Sequence, residues 1–275
     1  MAKVDLAIAI GGAAGQGIAT PGDILARIFV RRGLHLNAYN AYQSIIRGGH
    51  IFLTLRTSDA PVLTFGDKLD ILIPLNQDTM NRHLRLMKSG SVVLYNGDKI
   101  KPGEVEAGVQ LCPFSVKELA PNIRGDLVQN TIALAAVLRL IGVEFKILED
   151  ILTLQFKRKG GRHCRKRRSG TRRLRLRWYA FQAVRILAAR HRKKLAFFEG
   201  NQALAMGGAA AGVRFYCAYP MSPASGVLHW MARHGRQLGI MVRQIEDEIG
   251  VINVAIGAAH AGCRAMCATS GAALR

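Results

Sequence analysis

Val4-Asp-Leu-Ala-Ile-Ala-Ile-Gly-Gly-Ala-Ala-Gly-Gln-Gly17 decides the fold class. A short apolar run, Val4–Ile10, stops at Gly11-Gly12, which predicts a buried strand. Pro21 then opens a helical pattern over Asp23–Arg32, with Ile24, Leu25, Ile28 and Phe29 on one face, and Gly33 closes it. Strand, glycine loop and helix in that order are the first unit of an α/β sheet. The glycines let backbone N–H groups crowd toward a ligand or a neighbouring chain, and a helix start favours an anion. The spacing departs from G-x-G-x-x-G, and no acid lies about 20 positions on. Ligand contact and a tight packing turn therefore both stand for this loop.

Working outward, the same alternation continues to residue 156. His50–Arg56, Leu69–Leu75, Ser91–Tyr95 and Val109–Cys112 read as strands. Gln77–Lys88, Leu127–Ile141 and Glu144–Phe156 read as helices. After residue 194 the alternation resumes. Helices are expected over Asn201–Ala211, Ala224–Leu238 and Asp247–Gly262, and strands over Val213–Ala218, Ile240–Ile245 and Cys263–Ala268. The fold class is α/β, with two mostly parallel-sheet domains over 1–156 and 195–275. The second ends as a half-built sheet, so apolar surface is expected to be exposed there.

Between them, residues 157–194 break the pattern. The chain has 275 residues, 49% of them apolar, and a formal charge of +21. Seventeen of its 39 Lys and Arg fall in this segment of 38 residues, which has no Asp or Glu. The rest carries 22 bases against all 18 acids, a near-neutral balance. The segment offers phosphate affinity, with Trp178, Tyr179 and Phe181 available for stacking, but no nucleic-acid motif accompanies it. A sequence-specific nucleic-acid partner is therefore not expected; non-specific nucleic-acid binding through residues 157–194 stands as an alternative function.

The five cysteines are odd in number, scattered and without C-x-x-C. That argues against a disulfide framework, an iron–sulfur site or a structural zinc in this chain, and fits a reducing cytosol. No metal site is expected. No secretory pattern opens the chain, and no stretch approaches the ~20 apolar residues of a membrane helix.

Three other places carry candidate chemistry. Arg47-Gly48-Gly49-His50 follows Tyr39, Tyr42 and Ser44; the Arg reaches a phosphate or a neighbouring chain, or is solvated beside a bulge. Tyr219-Pro-Met-Ser-Pro-Ala-Ser225 falls at the carboxyl end of an expected strand, where open α/β sheets bind ligands. There Ser222 and Ser225 offer hydroxyls for a carboxylate, or Ser225 simply caps the helix. Glu246-Asp247-Glu248 opens the next helix, and capping is the default role of such acids. Glu248 further shares a face with Ile252, Ala255 and Ala259, where partial desolvation would let a carboxylate share a proton.

Taken together, these segments resemble a known family. Ile10–Gly17 with Ile46-Arg-Gly-Gly-His50 is similar to the gamma domain of the 2-oxoacid:ferredoxin oxidoreductases. Asn201-Gln-Ala-Leu-Ala205 and Tyr219–Ser225 resemble the start of their alpha subunit. Glu246–Glu248, Ile256–Arg264 and Ala268-Thr-Ser-Gly271 resemble its pyrimidine-type domain. The order gamma then alpha matches the fused subunit of 2-oxoglutarate-type enzymes.

The resemblance implies oxidative decarboxylation of a 2-oxoacid on thiamine diphosphate, with coenzyme A taking the acyl group and ferredoxin the electrons. It implies that Ser222, with Ser225 nearby, meets the substrate carboxylate. Tyr219 and Pro220 would line the cofactor, and Glu248 would bond its aminopyrimidine ring. Diphosphate, Mg²⁺ and the iron–sulfur clusters would belong to a separate beta subunit. Gly15, Gln16, Gly17, Arg47, Gly48 and Gly49 would serve subunit packing or coenzyme A contact.

Two departures stand out. The family's linker contains acids, and its chain continues past Gly271 for several hundred residues. The expectation is a truncated subunit, with one compensated frame error across about 158–192 and one terminal error. Alone it would be inactive, as a subunit of a cytoplasmic heteromer or as an interaction module.

Overall fold

In the computed structural model, residues 4–41, 49–119, 126–144, 146–147 and 196–270 are described. The chain divides into two compact units, Met1–Ala196 and Phe197–Arg275. The basic segment 157–194, the helix expected over most of Glu144–Phe156, and Arg47 and Gly48 lie outside the described residues.

The first unit is built on a six-stranded sheet in the order β2-β3-β1-β4-β5-β6. Its strands are β1 (Asp5–Ala13), β2 (His35–Ala41), β3 (His50–Ser58), β4 (Leu69–Pro74), β5 (Met87–Asn96) and β6 (Gln110–Phe114). β1, β4, β5 and β6 run parallel, while β3 pairs antiparallel with both β1 and β2. The register stacks Ile8 beside Leu55 and Ile71, and Ile10 beside Leu53 and Ile73. These rows are buried because helices cover both faces of the sheet.

Helix α1 (Ala19–Arg31) lies over Leu53 so closely that a Cβ on Gly22 would sit 1.9 Å from Leu53 Cδ2. Only glycine admits that approach. Helix α4 (Asp126–Leu140) packs beside α1 and over β5. On the opposite face, Met80 of α2 (Gln77–His83) joins Ala7, Ala9, Phe52, Leu72 and Val93 in one cluster. The short α3 (Val116–Leu119) follows β6.

Three boundaries differ from the sequence reading. The helix expected over Gln77–Lys88 stops at His83 and passes through a 3-10 turn, Leu84–Leu86. Met87 instead starts β5, because it pairs with Leu69 of β4. β2 was not anticipated: His35–Ala41 carries little apolar alternation, and its pairing with β3 holds it extended. β1 also runs on through Gly11 and Gly12 to Ala13, paired with Phe52, Ile51 and His50. A Cβ on Gly11 would meet Thr79 Cγ2 at 2.4 Å, so this part of the glycine run serves close packing.

The second unit is a three-stranded parallel sheet, β8-β7-β9. It comprises α5 (Gly200–Ala210), β7 (Phe215–Ala218), α6 (Ser225–Leu238), β8 (Met241–Gln244), α7 (Glu248–His260) and β9 (Ala265–Cys267). Ala205 of α5 and Val227, Leu228 and Met231 of α6 bury Tyr216 on one face. Val251 and Ala255 of α7 cover Cys217 on the other. As expected for a sheet of this size, apolar side chains stay exposed: Leu204, Met241, Ile249, Ile252 and Ile256 are each 48% or more accessible. Among the described residues, no helix is long and apolar enough to cross a membrane.

Candidate functional site

Every strand of the second sheet is parallel, so all three carboxyl ends fall on one edge. The loops leaving that edge hold Tyr219–Ser225, Ile245–Asp247 and Ala268–Ser270. The sheet topology therefore gathers Ser222, Glu248 and Ser270 from segments up to 48 residues apart. Such an edge is where open parallel sheets bind ligands.

The loop after β7 is held from both sides. Asn201 at the start of α5 donates through Nδ2 to the Pro223 carbonyl at 2.7 Å. Its side chain fills the space a Cβ on Gly226 would need, at 2.6 Å. Ser270 Oγ donates to the Ser222 carbonyl at 2.9 Å. The Ser222–Pro223 peptide is cis. Tyr219, Pro220 and Ser222 stay exposed, so the Ser222 side chain faces solvent while its carbonyl is anchored.

Ser225 does not cap α6. It is the first helical residue, and its Oγ donates back to the Met221 carbonyl at 2.9 Å. Its hydroxyl proton is therefore committed to the loop. Asp247 does cap α7, accepting from the Gly250 N–H at 2.6 Å. Glu248 is thereby released from capping, and its carboxylate has no hydrogen-bond or ion-pair partner among the described residues. Of the stripe expected beside Glu248, only Ala255 is buried; Ile252 is 48% exposed and Ala259 is exposed. Val251 and Ala255 face the sheet, since the side of α7 that meets β7 and β9 lies between those positions.

Two polar groups near this edge were not singled out from the sequence. Thr269 Oγ1 is buried without a hydrogen-bond partner among the described residues, beside Ser270. Tyr216 OH is likewise orphaned, and burial pushes its phenol up to about 12, with Cys267 and Cys217 adding to the shift. A buried hydroxyl without a partner costs about 1–3 kcal/mol, which makes Thr269 a further candidate residue of this edge.

In the first unit, the glycine loop largely satisfies itself. Gln16 Oε1 accepts from the Ala13 N–H at 2.7 Å, occupying the space beside Gly12. The Ala14 N–H donates to the Gly49 carbonyl at 2.8 Å, and the Gln16 N–H to the Ala13 carbonyl at 3.1 Å. That bond joins Gly49 to the glycine loop. Asn130 Nδ2 donates to the Gln16 carbonyl at 2.6 Å and clamps the loop from α4. Gly15 has φ of +92° and nothing within 4 Å of its missing side chain, so the loop presents a bare, left-handed backbone there. Its three engaged amides leave little of an anion cradle.

Beside this loop stands a histidine pair that no sequence spacing announces. His50 Nε2 and His83 Nε2 are 2.8 Å apart, and His83 stacks on Phe52 with ring centroids 3.6 Å apart. Burial, then His50, Arg82 and Arg85, pull His83 down to about 4. Burial also lowers His50, against the pull of Asp78. A histidine depressed in the native state binds fewer protons there than when unfolded. Its contribution is complete above about pH 6.5 and is lost as pH falls toward 4. Thermal melts from pH 7.5 to 4.5 should show a fall of roughly 1–2 kcal/mol attributable to this ring, after allowance for solvent screening. In His83→Phe that component should vanish; an unchanged pH slope in the variant would place the linkage elsewhere.

Among the described residues, no group of three or more His, Cys, Asp or Glu is placed to hold a metal ion. An unpartnered carboxylate, exposed hydroxyls and an orphaned buried hydroxyl at a parallel-sheet edge suit the ring and carboxylate ends of organic ligands. They make this edge the candidate ligand site of an open α/β domain.

Comparison with known proteins gives the family. Residues 7–165 match the family described as pyruvate ferredoxin/flavodoxin oxidoreductase, and residues 206–274 match its thiamine diphosphate-binding domain. The chain belongs to this family. It is 26% identical to a 2-oxoacid:ferredoxin oxidoreductase subunit alpha from Sulfolobus, over 95% of this chain and 49% of that protein. It is 46% identical to the 2-oxoglutarate synthase subunit KorA of Methanocaldococcus jannaschii, over 28% of this chain and 21% of that one. Among solved structures, the 2-oxoglutarate:ferredoxin oxidoreductase of Magnetococcus marinus, with 2-oxoglutarate, coenzyme A and succinyl-CoA bound, matches with a TM-score of 0.84. That match has 28% identity and covers all of this chain and 49% of the neighbour. The chain thus spans about half the length of the full-length relatives it matches.

Proposed function

We propose that this chain is the alpha-type subunit, with a gamma-type domain over 1–156 and a pyrimidine-type domain over 195–275, of a thiamine diphosphate-dependent 2-oxoglutarate:ferredoxin oxidoreductase. The observation that carries the reading is the single sheet edge bearing Ser222, the unpartnered Glu248 carboxylate and Ser270. The overall reaction takes a 2-oxoacid and coenzyme A to acyl-CoA and carbon dioxide, and passes two electrons to ferredoxin. When bound, thiamine diphosphate supplies the carbon nucleophile and electron sink.

The chain's own residues bind and orient. Glu248 accepts a hydrogen bond from a ring nitrogen of the aminopyrimidine, and so sets which nitrogen carries the proton. Tyr219 and Pro220 border the ring. The Ser222 hydroxyl donates to the 2-oxoacid carboxylate, while Ser225 keeps the loop in shape. Gly15, Gln16, Gly17 and Gly49 contact a neighbouring subunit or coenzyme A, and the same role is assigned to Arg47 and Gly48 from their place in the sequence motif. A beta subunit supplies the diphosphate and Mg²⁺ site and the iron–sulfur clusters, in the cytosol. The 2-oxoglutarate preference is supported by the relatives named for that substrate.

The test is affinity purification of the tagged full chain from its native cells. A cluster-bearing partner should copurify, and the complex should reduce a viologen with 2-oxoglutarate and coenzyme A, whereas the isolated chain should not. Reduction with pyruvate alone would overturn the substrate. No 2-oxoacid-dependent reduction by the complex would overturn the function.

A further inference from the structure

Cys217 and Cys267 are direct partners in the parallel pairing of β7 with β9. Neighbouring strands lie about 4.8 Å apart, and side chains of paired residues rise on the same face. Tyr216 and Met266, one residue earlier on each strand, pack together on the face toward α5 and α6. Cys217 and Cys267 accordingly share the face toward α7, in one cluster with Val251 and Ala255. A disulfide needs Cα atoms about 4.4–6.8 Å apart, a range that includes the strand spacing.

The two thiols differ in access. Cys217 is fully buried, and its thiol donates to the Val251 carbonyl at 3.4 Å. Cys267 is partly exposed. Burial, and then Cys267, push the Cys217 thiol up. Being the more buried, Cys217 is the slower of the two to meet a solvent oxidant. The pair sits directly beneath the candidate site. β7 runs on from Cys217 to the Tyr219–Ser225 loop, and β9 from Cys267 to Ser270, whose hydroxyl holds the Ser222 carbonyl.

We propose that Cys217 and Cys267 form a reversible redox dithiol, oxidised by peroxide to a cross-strand disulfide that ties the Ser222 loop to the Thr269–Ser270 loop. Cys267 sulfur gives an electron pair to one peroxide oxygen, the O–O bond breaks, and a sulfenic acid and one water result. Cys217 sulfur then attacks Cys267 sulfur; the S–S bond forms, the S–O bond breaks, and a second water leaves with the Cys217 proton. Two thiols lose two electrons in all, and one peroxide gains them. A thiol reductant reverses the bond by thiol–disulfide exchange, giving its two electrons and restoring both thiols.

Trypsin places the two cysteines on separate peptides, Phe215–Arg233 and Ala265–Arg275, and Cys263 on a third. The folded full chain is treated with a small excess of hydrogen peroxide, alkylated, digested and analysed by mass spectrometry. The expected product is those two peptides linked and lighter by two hydrogens, separated again by dithiothreitol. In Cys217→Ala, which keeps an apolar group at the buried position, Cys267 should instead accumulate as a dimedone-trapped sulfenic acid. Wild-type chain that gives this adduct without the linked peptide, or links Cys267 to Cys112, Cys164 or Cys263, would overturn the proposal.

Discussion

Glu248→Gln, introduced into the assembled complex, is expected to lower 2-oxoglutarate-dependent viologen reduction by about 100-fold or more. Glutamine keeps the size and the hydrogen-bonding reach of the side chain but cannot carry the negative charge that favours a protonated ring nitrogen. The loss should fall on kcat, with a smaller change in the concentration of thiamine diphosphate needed for half-saturation. Folding should be unaffected, because Asp247, not Glu248, caps α7. Glu246→Gln, at an exposed position outside the helix, provides the control and should retain activity. A Glu248→Gln complex with wild-type kcat would remove this carboxylate from the reaction.

Gln129→Leu is expected to destabilise the first unit by about 2–4 kcal/mol, read as a lower denaturant midpoint. Gln129 is 6% exposed and ties α4 to the residue just past β4 and to the last residue of β5. Its Nε2 donates to the Leu75 carbonyl at 2.9 Å, and its Oε1 accepts from Asn96 Nδ2 at 3.2 Å. Leucine has a similar volume but leaves both partners buried and unpaired, each costing about 1–3 kcal/mol. The neighbouring Asn130 clamps the glycine loop, so a shifted α4 should loosen that loop as well. A cost below about 1 kcal/mol would mean that water replaces the lost partners.

The stretch from Val4 to Gly17 was legible for a simple reason. A strand buried on both faces is a continuous apolar run, although Gly11 and Gly12, read as its end, prove to continue it for close packing. The parallel order of the second unit was equally plain, as was the exposure left on its helices. Boundaries were less so. His35–Ala41 lacks the alternation of a half-buried strand, because it lies at the sheet edge and is held by β3 alone. Its extended state depends on pairing with the next strand, β3, which its own residues do not record.

The sequence by itself also determined the candidate residues of the site, because Tyr219–Ser225 and Glu246–Glu248 sit where strands pass into helices. What those residues do to one another was decided only by tertiary structure. Asp247 took the cap and freed Glu248, whereas Ser225 turned its hydroxyl to Met221. The expected stripe beside Glu248 lies open at Ile252, since the phase of α7 against the sheet puts Val251 and Ala255 inside. His50 with His83, Asn201 with Pro223 and Cys217 with Cys267 are meetings across 22 to 50 residues of chain. Local pattern records a residue's own environment along one element; pairings of this kind are fixed by sheet register and helix packing.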